Sequence, residues 1–242
     1  MNAYAGFLEG TASGSRRSAE EVVPHVLRLI QPKRVVDVGC GLGAWLAVFQ
    51  ERGVDDIWGV DGDYIDRRAL QIPRERFIPC DLKRPLRMDG KFDLVLSLEV
   101  AEHLPPQCAE TFVNSLVDLG PIILFSAAIP FQGGVNHVNE QWPEYWARHF
   151  QEREYIAIDC IRKNIWMNEK VEWWYAQNML MFVREDCLED YPVLKQESEN
   201  TSSSQLSIVH PCLYEMKNLP IDKKIRLKMK SGIISLLRSY RS

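Results

Sequence analysis

Four acidic positions close apolar runs in this chain, and their spacing suggests a shared task. Asp37 stands two residues before Gly39-Cys40-Gly41, and Asp61 follows 22 residues after Gly39, in Trp58-Gly-Val-Asp61-Gly62. Asp81 sits between Cys80 and Leu82, and Glu99 opens the string Glu99-Val-Ala-Glu102-His103. A glycine turn lets a ligand approach backbone that side chains would otherwise block. A carboxylate at position 37 would repel a diphosphate but suits a cationic ligand. An acid at position 61 can accept both hydroxyls of a ribose, and Asp81 is placed to receive an adenine amino group. The expected contacts of such a ligand are Asp37, Gly39, Cys40 and Gly41 at the first turn, Asp61 and Gly62 at the second, Asp81 and Leu82 at the third, and Glu99 at the fourth.

A second group of polar residues lies in Ile129-Pro-Phe-Gln-Gly133-Gly134-Val-Asn136-His137-Val-Asn139-Glu140-Gln-Trp142. The glycine pair permits a hinge or a close approach, and the polar side chains can converge. His137 is the expected general base, with Glu140 orienting it and His103 as a second candidate. A metal is not required by this arrangement. The rival reading has Glu99, Glu102, His103 and His137 holding a divalent ion. Five of the seven tryptophans (142, 146, 166, 173 and 174) crowd the following stretch, either as an acceptor wall or as core.

These residues must be positioned by alternating elements. A capping box, Ser18-x-x-Glu21, predicts the start of a helix bent at Pro24. Strands are predicted at 34–38, 56–61, 77–80, 92–98, 121–128, 155–162 and 179–183. Helices are predicted between them at 44–52, 64–70, 107–119 and 142–150. Near-continuous apolar strands between amphipathic helices imply an α/β, doubly wound, mostly parallel sheet with helices on both faces. The expected ligand cleft would then lie at the carboxyl ends of the strands. Residues 1–193 form the expected catalytic domain with a core at 17–183, followed by a polar linker at 194–207 and a tail at 208–242. In that tail Ile221, Ile225, Met229, Ile233, Leu236 and Tyr240 make a basic amphipathic helix, weakened by Gly232, that is expected to dock on the acidic body or stay frayed, with a membrane surface or a partner as the alternative.

Charge is unevenly distributed. Of 29 Lys/Arg and 33 Asp/Glu, eight bases and one acid lie from Lys217 onward, leaving 21 bases and 32 acids before it. A body near −11 with a tail near +7 lacks the clustered positive charge of a nucleic-acid track. Six scattered cysteines without a C-x-x-C pair fit a reducing compartment. The first residues carry no basic stretch followed by an apolar run, so the expected location is cytoplasmic.

The strings VVDVGCGLG, WGVDGD, PCDL and FDLVLSLEVAEHL, in this order, resemble the successive motifs of class I S-adenosylmethionine-dependent methyltransferases across about Arg17 to Val183. The resemblance implies a Rossmann-like sheet of seven strands, the last antiparallel, and S-adenosylmethionine as cofactor. It places Asp37, Gly39 and Gly41 around the methionine part, Asp61 at the ribose and Asp81 at the adenine. The GGxxHVNE loop with Tyr145-Trp146 is similar to bacterial methyltransferases of glycan and secondary-metabolite pathways, which implies O-methylation of a small-molecule or glycan-type acceptor, with N-methylation as an alternative. The E-x-x-E-H string is also similar to metal-dependent RNA 2′-O-methyltransferases.

Overall fold

The computed structural model describes residues 3–219, with side chains from residue 13 onward. The amphipathic tail helix expected beyond residue 220 lies outside the described residues. The described residues divide into two compact units at the boundary between Ile208 and Val209. In the second unit, residues Pro211–Asn218 form a helix whose first turn is capped by His210, its Nδ1 accepting the Cys212 N–H at 3.2 Å.

The first unit is a seven-stranded sheet in the order β3-β2-β1-β4-β5-β7-β6. Its strands are β1 (Arg34–Val38), β2 (Asp56–Asp61), β3 (Phe77–Pro79), β4 (Leu94–Leu98), β5 (Ile122–Ser126), β6 (Tyr155–Ile158) and β7 (Leu180–Arg184). The first five pair in parallel, and β7 runs antiparallel to both β5 and β6. The helices are α1 (Ala3–Leu29), α2 (Ala44–Glu51), α3 (Ala109–Leu119), α4 (Pro143–Gln151), α5 (Arg162–Ile165), α6 (Trp173–Asn178) and α7 (Pro192–Glu199). This is the doubly wound arrangement expected, and strand order reverses between β1 and β4, where ligands of open α/β sheets bind.

Period-two strand geometry sends alternate residues to opposite faces. Val35, Ile57, Leu94, Leu96 and Leu124 join one core with the buried α1 stripe of Ala19, Val22, Val23 and Val26. Val36, Val38, Val60, Val95 and Phe125 join the other, under Phe112 and Leu116 of α3 and Trp146 and Phe150 of α4. Among the described residues no helix is long and apolar enough to cross a membrane.

Several expectations are corrected. Ser18 does not cap a helix. It lies within α1, where its Oγ donates to the Gly14 carbonyl at 2.8 Å and accepts the Glu172 N–H at 3.0 Å. Residues 64–70 are turns rather than helix, because the Asp66 side chain accepts the Arg68 N–H at 2.9 Å and offers the backbone a local alternative to a helical ladder. The polar stretch 194–207 is not a free linker. Leu194 and Leu206 are buried in the two cores, Thr201 Oγ1 accepts the Asp159 N–H at 3.0 Å, and the Leu206 carbonyl accepts from the buried Arg162 at 2.7 Å. Two well-placed apolar anchors therefore outweigh a polar composition.

Candidate active site

One half of the candidate site is built from strand ends and tight turns. The Gly39 and Cys40 N–H groups both donate to the Val60 carbonyl, at 2.7 and 3.1 Å, folding the first turn over the end of β2. Gly39 and Gly41 adopt φ of 90° and 53°, the left-handed region that glycine enters without penalty. A Cβ on Gly39 would fall 2.3 Å from Val100, whereas one on Gly41 would meet nothing within 4 Å. The open side of Gly41 is therefore bare backbone facing free space.

Asp61 is 5% exposed and accepts three hydrogen bonds: Gly41 N–H on Oδ2 at 2.7 Å, Gly62 N–H on Oδ1 at 2.6 Å, and the Tyr64 hydroxyl on Oδ1. Burial raises its pKa even against those bonds. Asp37, in β1 and 2% exposed, is pushed up to about 7 by burial first and by the Asp61 charge second. Cys40 is buried beside them and its thiol is raised well above the ordinary range, chiefly by burial, so it is a neutral wall. Leu82 is buried, whereas Asp81 stands in solvent, accepting the Lys83 N–H at 3.1 Å with Arg84 3.7 Å away. Position 81 therefore lies at the outer edge of the site.

The other half, which holds Glu99 of the expected cofactor contacts, is a side-chain network. Glu99 leaves β4 with φ of 56°, and its carboxylate accepts Gln132 Nε2 and Asn178 Nδ2, both at 3.0 Å. Gln132 Oε1 in turn accepts from Asn178 at 2.9 Å and from Gln177 at 3.1 Å. Burial pushes Glu99 up to about 7. Glu102, fully buried, is raised well above its ordinary value by burial and then by the Glu99 charge. Its backbone carbonyl receives the Val138 and Asn139 N–H groups at 2.9 and 3.0 Å, which ties the 129–142 loop to the end of β4.

That tie brings His137 to His103, ring edge to face, with centroids 4.8 Å apart. His137 Nδ1 lies 3.0 Å from Glu140 Oε1, and the same oxygen accepts the Gly133 N–H at 2.6 Å. A Cβ on Gly134 would fall 2.1 Å from His137 Nε2, so only glycine leaves the ring this seat. His103 is lowered to about 4, by burial and then by His137, and is neutral at ordinary pH. Among the described residues, four non-glycine residues have positive φ, and Glu99, Phe131 and Asn136 of these surround this half. Strained backbone concentrates where surrounding structure imposes a geometry for function.

Of the four residues expected to ligate a metal, Glu102, His103 and His137 bring ligand atoms within 4.8 Å of one another, whereas Glu99 is committed to its two amides. The tryptophans do not form one wall. Trp146 is core, packed on Phe125, while Trp142 is 41% exposed and with Tyr145 and Arg148 lines a groove of about 350 Å³. Residues not expected from the sequence complete the site: Tyr64, Gln132, Gln177, Asn178 and Tyr175, whose hydroxyl meets Ser15 of α1 at 3.0 Å. The polar Gln177-Asn178 pair closing an aromatic run was the available signal for two of them.

Asp37, Asp61 and Glu102, buried, and Glu99, half-buried, thus form a carboxyl-lined rim, and none of them is in a salt bridge with a Lys or Arg among the described residues. A buried acidic rim calls for a cationic ligand. A seven-stranded sheet of this order, with that rim at its switch point, defines the class I S-adenosylmethionine-dependent methyltransferases. The chain belongs to the methyltransferase-domain family, whose model matches residues 15–178. No curated protein matches by sequence. Among solved structures, the methyltransferase domain of bacterial CtHen1-C is similar at 20% identity and a TM-score of 0.51, over 70% of this chain and 98% of that one. Magnesium protoporphyrin IX methyltransferase from Synechocystis PCC 6803, solved with bound SAM, is similar at 19% identity and a TM-score of 0.52, over 71% and 80%. The methyltransferase solved with the Haloferax volcanii Trm112 activator is similar at 14% identity and a TM-score of 0.55, over 76% and 95%.

Proposed function

We propose that this chain transfers a methyl group from S-adenosylmethionine to a hydroxyl of a small-molecule or glycan-type acceptor, with His137 receiving the hydroxyl proton. When bound, the cofactor supplies a methyl group on a sulfonium, so the chain's own residues need only hold, align and deprotonate. Asp37 would face the cofactor's cationic part, the bare Gly41 backbone would admit it closely, and Asp61 would take the ribose. The observation that carries the hydroxyl assignment is the Glu140–His137 pair: with Nδ1–H directed to Glu140, Nε2 is the nitrogen left to accept a proton. His103, lowered to about 4, is a poor proton carrier, which favours His137 of the two. Trp142 and Tyr145, in the groove that follows the 129–142 loop in sequence, offer stacking surface for a sugar or aromatic ring.

A second reading has its own support. The clustered Glu102, His103 and His137 could hold a divalent ion against an RNA ribose diol, and the approach of their ligand atoms to within 4.8 Å of one another favours it. The acidic body favours the first.

Calorimetry of the full chain with S-adenosylmethionine and with NAD, each with and without Mg²⁺ or Mn²⁺, tests both. Binding of S-adenosylmethionine alone is expected, followed by chelator-resistant methylation of a hydroxyl acceptor in a screen with labelled cofactor. Binding of NAD instead would overturn the cofactor assignment; turnover abolished by chelator and restored by Mn²⁺ would move the assignment to the metal reading.

A further inference from the structure

Tyr64 is an exposed aromatic residue whose hydroxyl is directed inward, onto the buried carboxylate of Asp61. An ionised carboxylate offers about four lone-pair directions. Three are filled here: both on Oδ1, by the Gly62 N–H and the Tyr64 hydroxyl, and one on Oδ2, by the Gly41 N–H. A ribose diol needs two. The backbone bonds belong to the turns that shape the site, so the tyrosine hydroxyl is the partner that can leave.

The surroundings suit such a movement. Tyr64 is 59% exposed and lies in the turn-only stretch after β2. Its ring rests on Gly62, where a Cβ would fall 2.0 Å from Tyr64 Cε1, so the glycine provides the seat that lets the hydroxyl reach Asp61. Without such a partner, one oxygen of a 5%-exposed carboxylate would lose a strong hydrogen bond in the cofactor-free state.

We propose that Tyr64 is a latch on the cofactor site: its phenol stands in for one ribose hydroxyl on Asp61, and cofactor entry requires the ring to swing out into solvent. The inference rests on Asp61 being the ribose-binding carboxylate. It makes Tyr64 a residue that sets cofactor affinity and exchange through Asp61, with no part in the methyl transfer itself.

The test is the Tyr64→Phe variant, which keeps the ring and removes the competing hydroxyl. Binding of S-adenosylhomocysteine to the full chain is measured by calorimetry and by stopped-flow fluorescence. Two- to tenfold tighter binding is expected, carried by a faster association rate, from relief of one ordinary hydrogen bond. A Tyr64→Ala variant separates the ring from the hydroxyl: if it gains the same factor, the hydroxyl is the whole effect, as the latch requires. Unchanged or weaker binding by Tyr64→Phe overturns the latch. Failure of both the unmodified chain and Tyr64→Phe to bind S-adenosylhomocysteine, with both folded by circular dichroism, would strike the underlying cofactor assignment and the latch with it.

Discussion

The two halves of the pocket bury negative charge by different means. At the ends of β1 and β2, Asp61 is held by N–H groups of neighbouring glycine turns, at 2.7 Å from Gly41 and 2.6 Å from Gly62. At the end of β4, Glu99 is held by side-chain amides that come from far along the chain, Gln132 and Asn178. The first half is a property of backbone turns and changes little unless the turns change. The second depends on a loop and on the approach to β7 meeting in space, so it can be re-tailored by side-chain substitution. A shared donor and a variable acceptor require this division of labour, and loops held on a rigid sheet are where specificity is altered at least cost.

The sharpest way to break the comparison is to strike each half and ask whether the other responds. His137→Ala should lower kcat by 10²- to 10⁴-fold on a hydroxyl acceptor, the usual contribution of a positioned base, while leaving the calorimetric affinity for S-adenosylmethionine within about twofold. Asp61→Ala should do the reverse, weakening cofactor binding by roughly 10- to 150-fold, about 1.5–3 kcal/mol for hydrogen bonds to a charged group, with a far smaller change in kcat at saturating cofactor. If either substitution moved both quantities equally, the two halves would be one cooperative unit and the division drawn above would be wrong.

The same contrast explains what could be read from the chain. The placement of Asp37, Gly39, Gly41 and Asp61 is legible because it is set within a few residues, by a strand end and the turn after it. The count of seven strands and the antiparallel β7 followed from the family resemblance, and the strand positions from apolar runs. The Glu99 amides were not legible, since nothing local to Gln132 or Asn178 says which carboxylate, 33 and 79 residues earlier, they will meet. His137 and Glu140 were accessible because their pairing spans three residues. Turns at 64–70 were misread as helix because hydrophobic spacing does not register the Asp66 side chain's bond to the Arg68 N–H. The docking of 194–207 was missed because two leucines are a small fraction of a polar stretch, yet both are buried.

The smallest expected effect concerns pH and isolates one carboxyl in the cofactor half. Asp37 is raised from 3.8 to about 7 in the cofactor-free protein. Because its folded pKa lies above its unfolded value, its contribution to stability is fully present below about pH 4 and is lost as pH rises through 7, when a charge must be carried without a partner. A cation seated beside it favours the ionised form, so cofactor binding should release a proton in the same window. Affinity for S-adenosylmethionine should therefore tighten about tenfold between pH 6 and pH 8, the most that one group with a pKa of about 7 can contribute over that range. Asp37→Asn should flatten that dependence and also remove the fall in cofactor-free Tm across it. Glu99 is likewise raised to about 7, but its amide cage belongs to the acceptor half, so Glu99→Gln should leave most of the pH dependence of cofactor binding in place. A titration in which Glu99→Gln flattens the curve and Asp37→Asn does not would place the cationic group of the cofactor against β4 rather than β1.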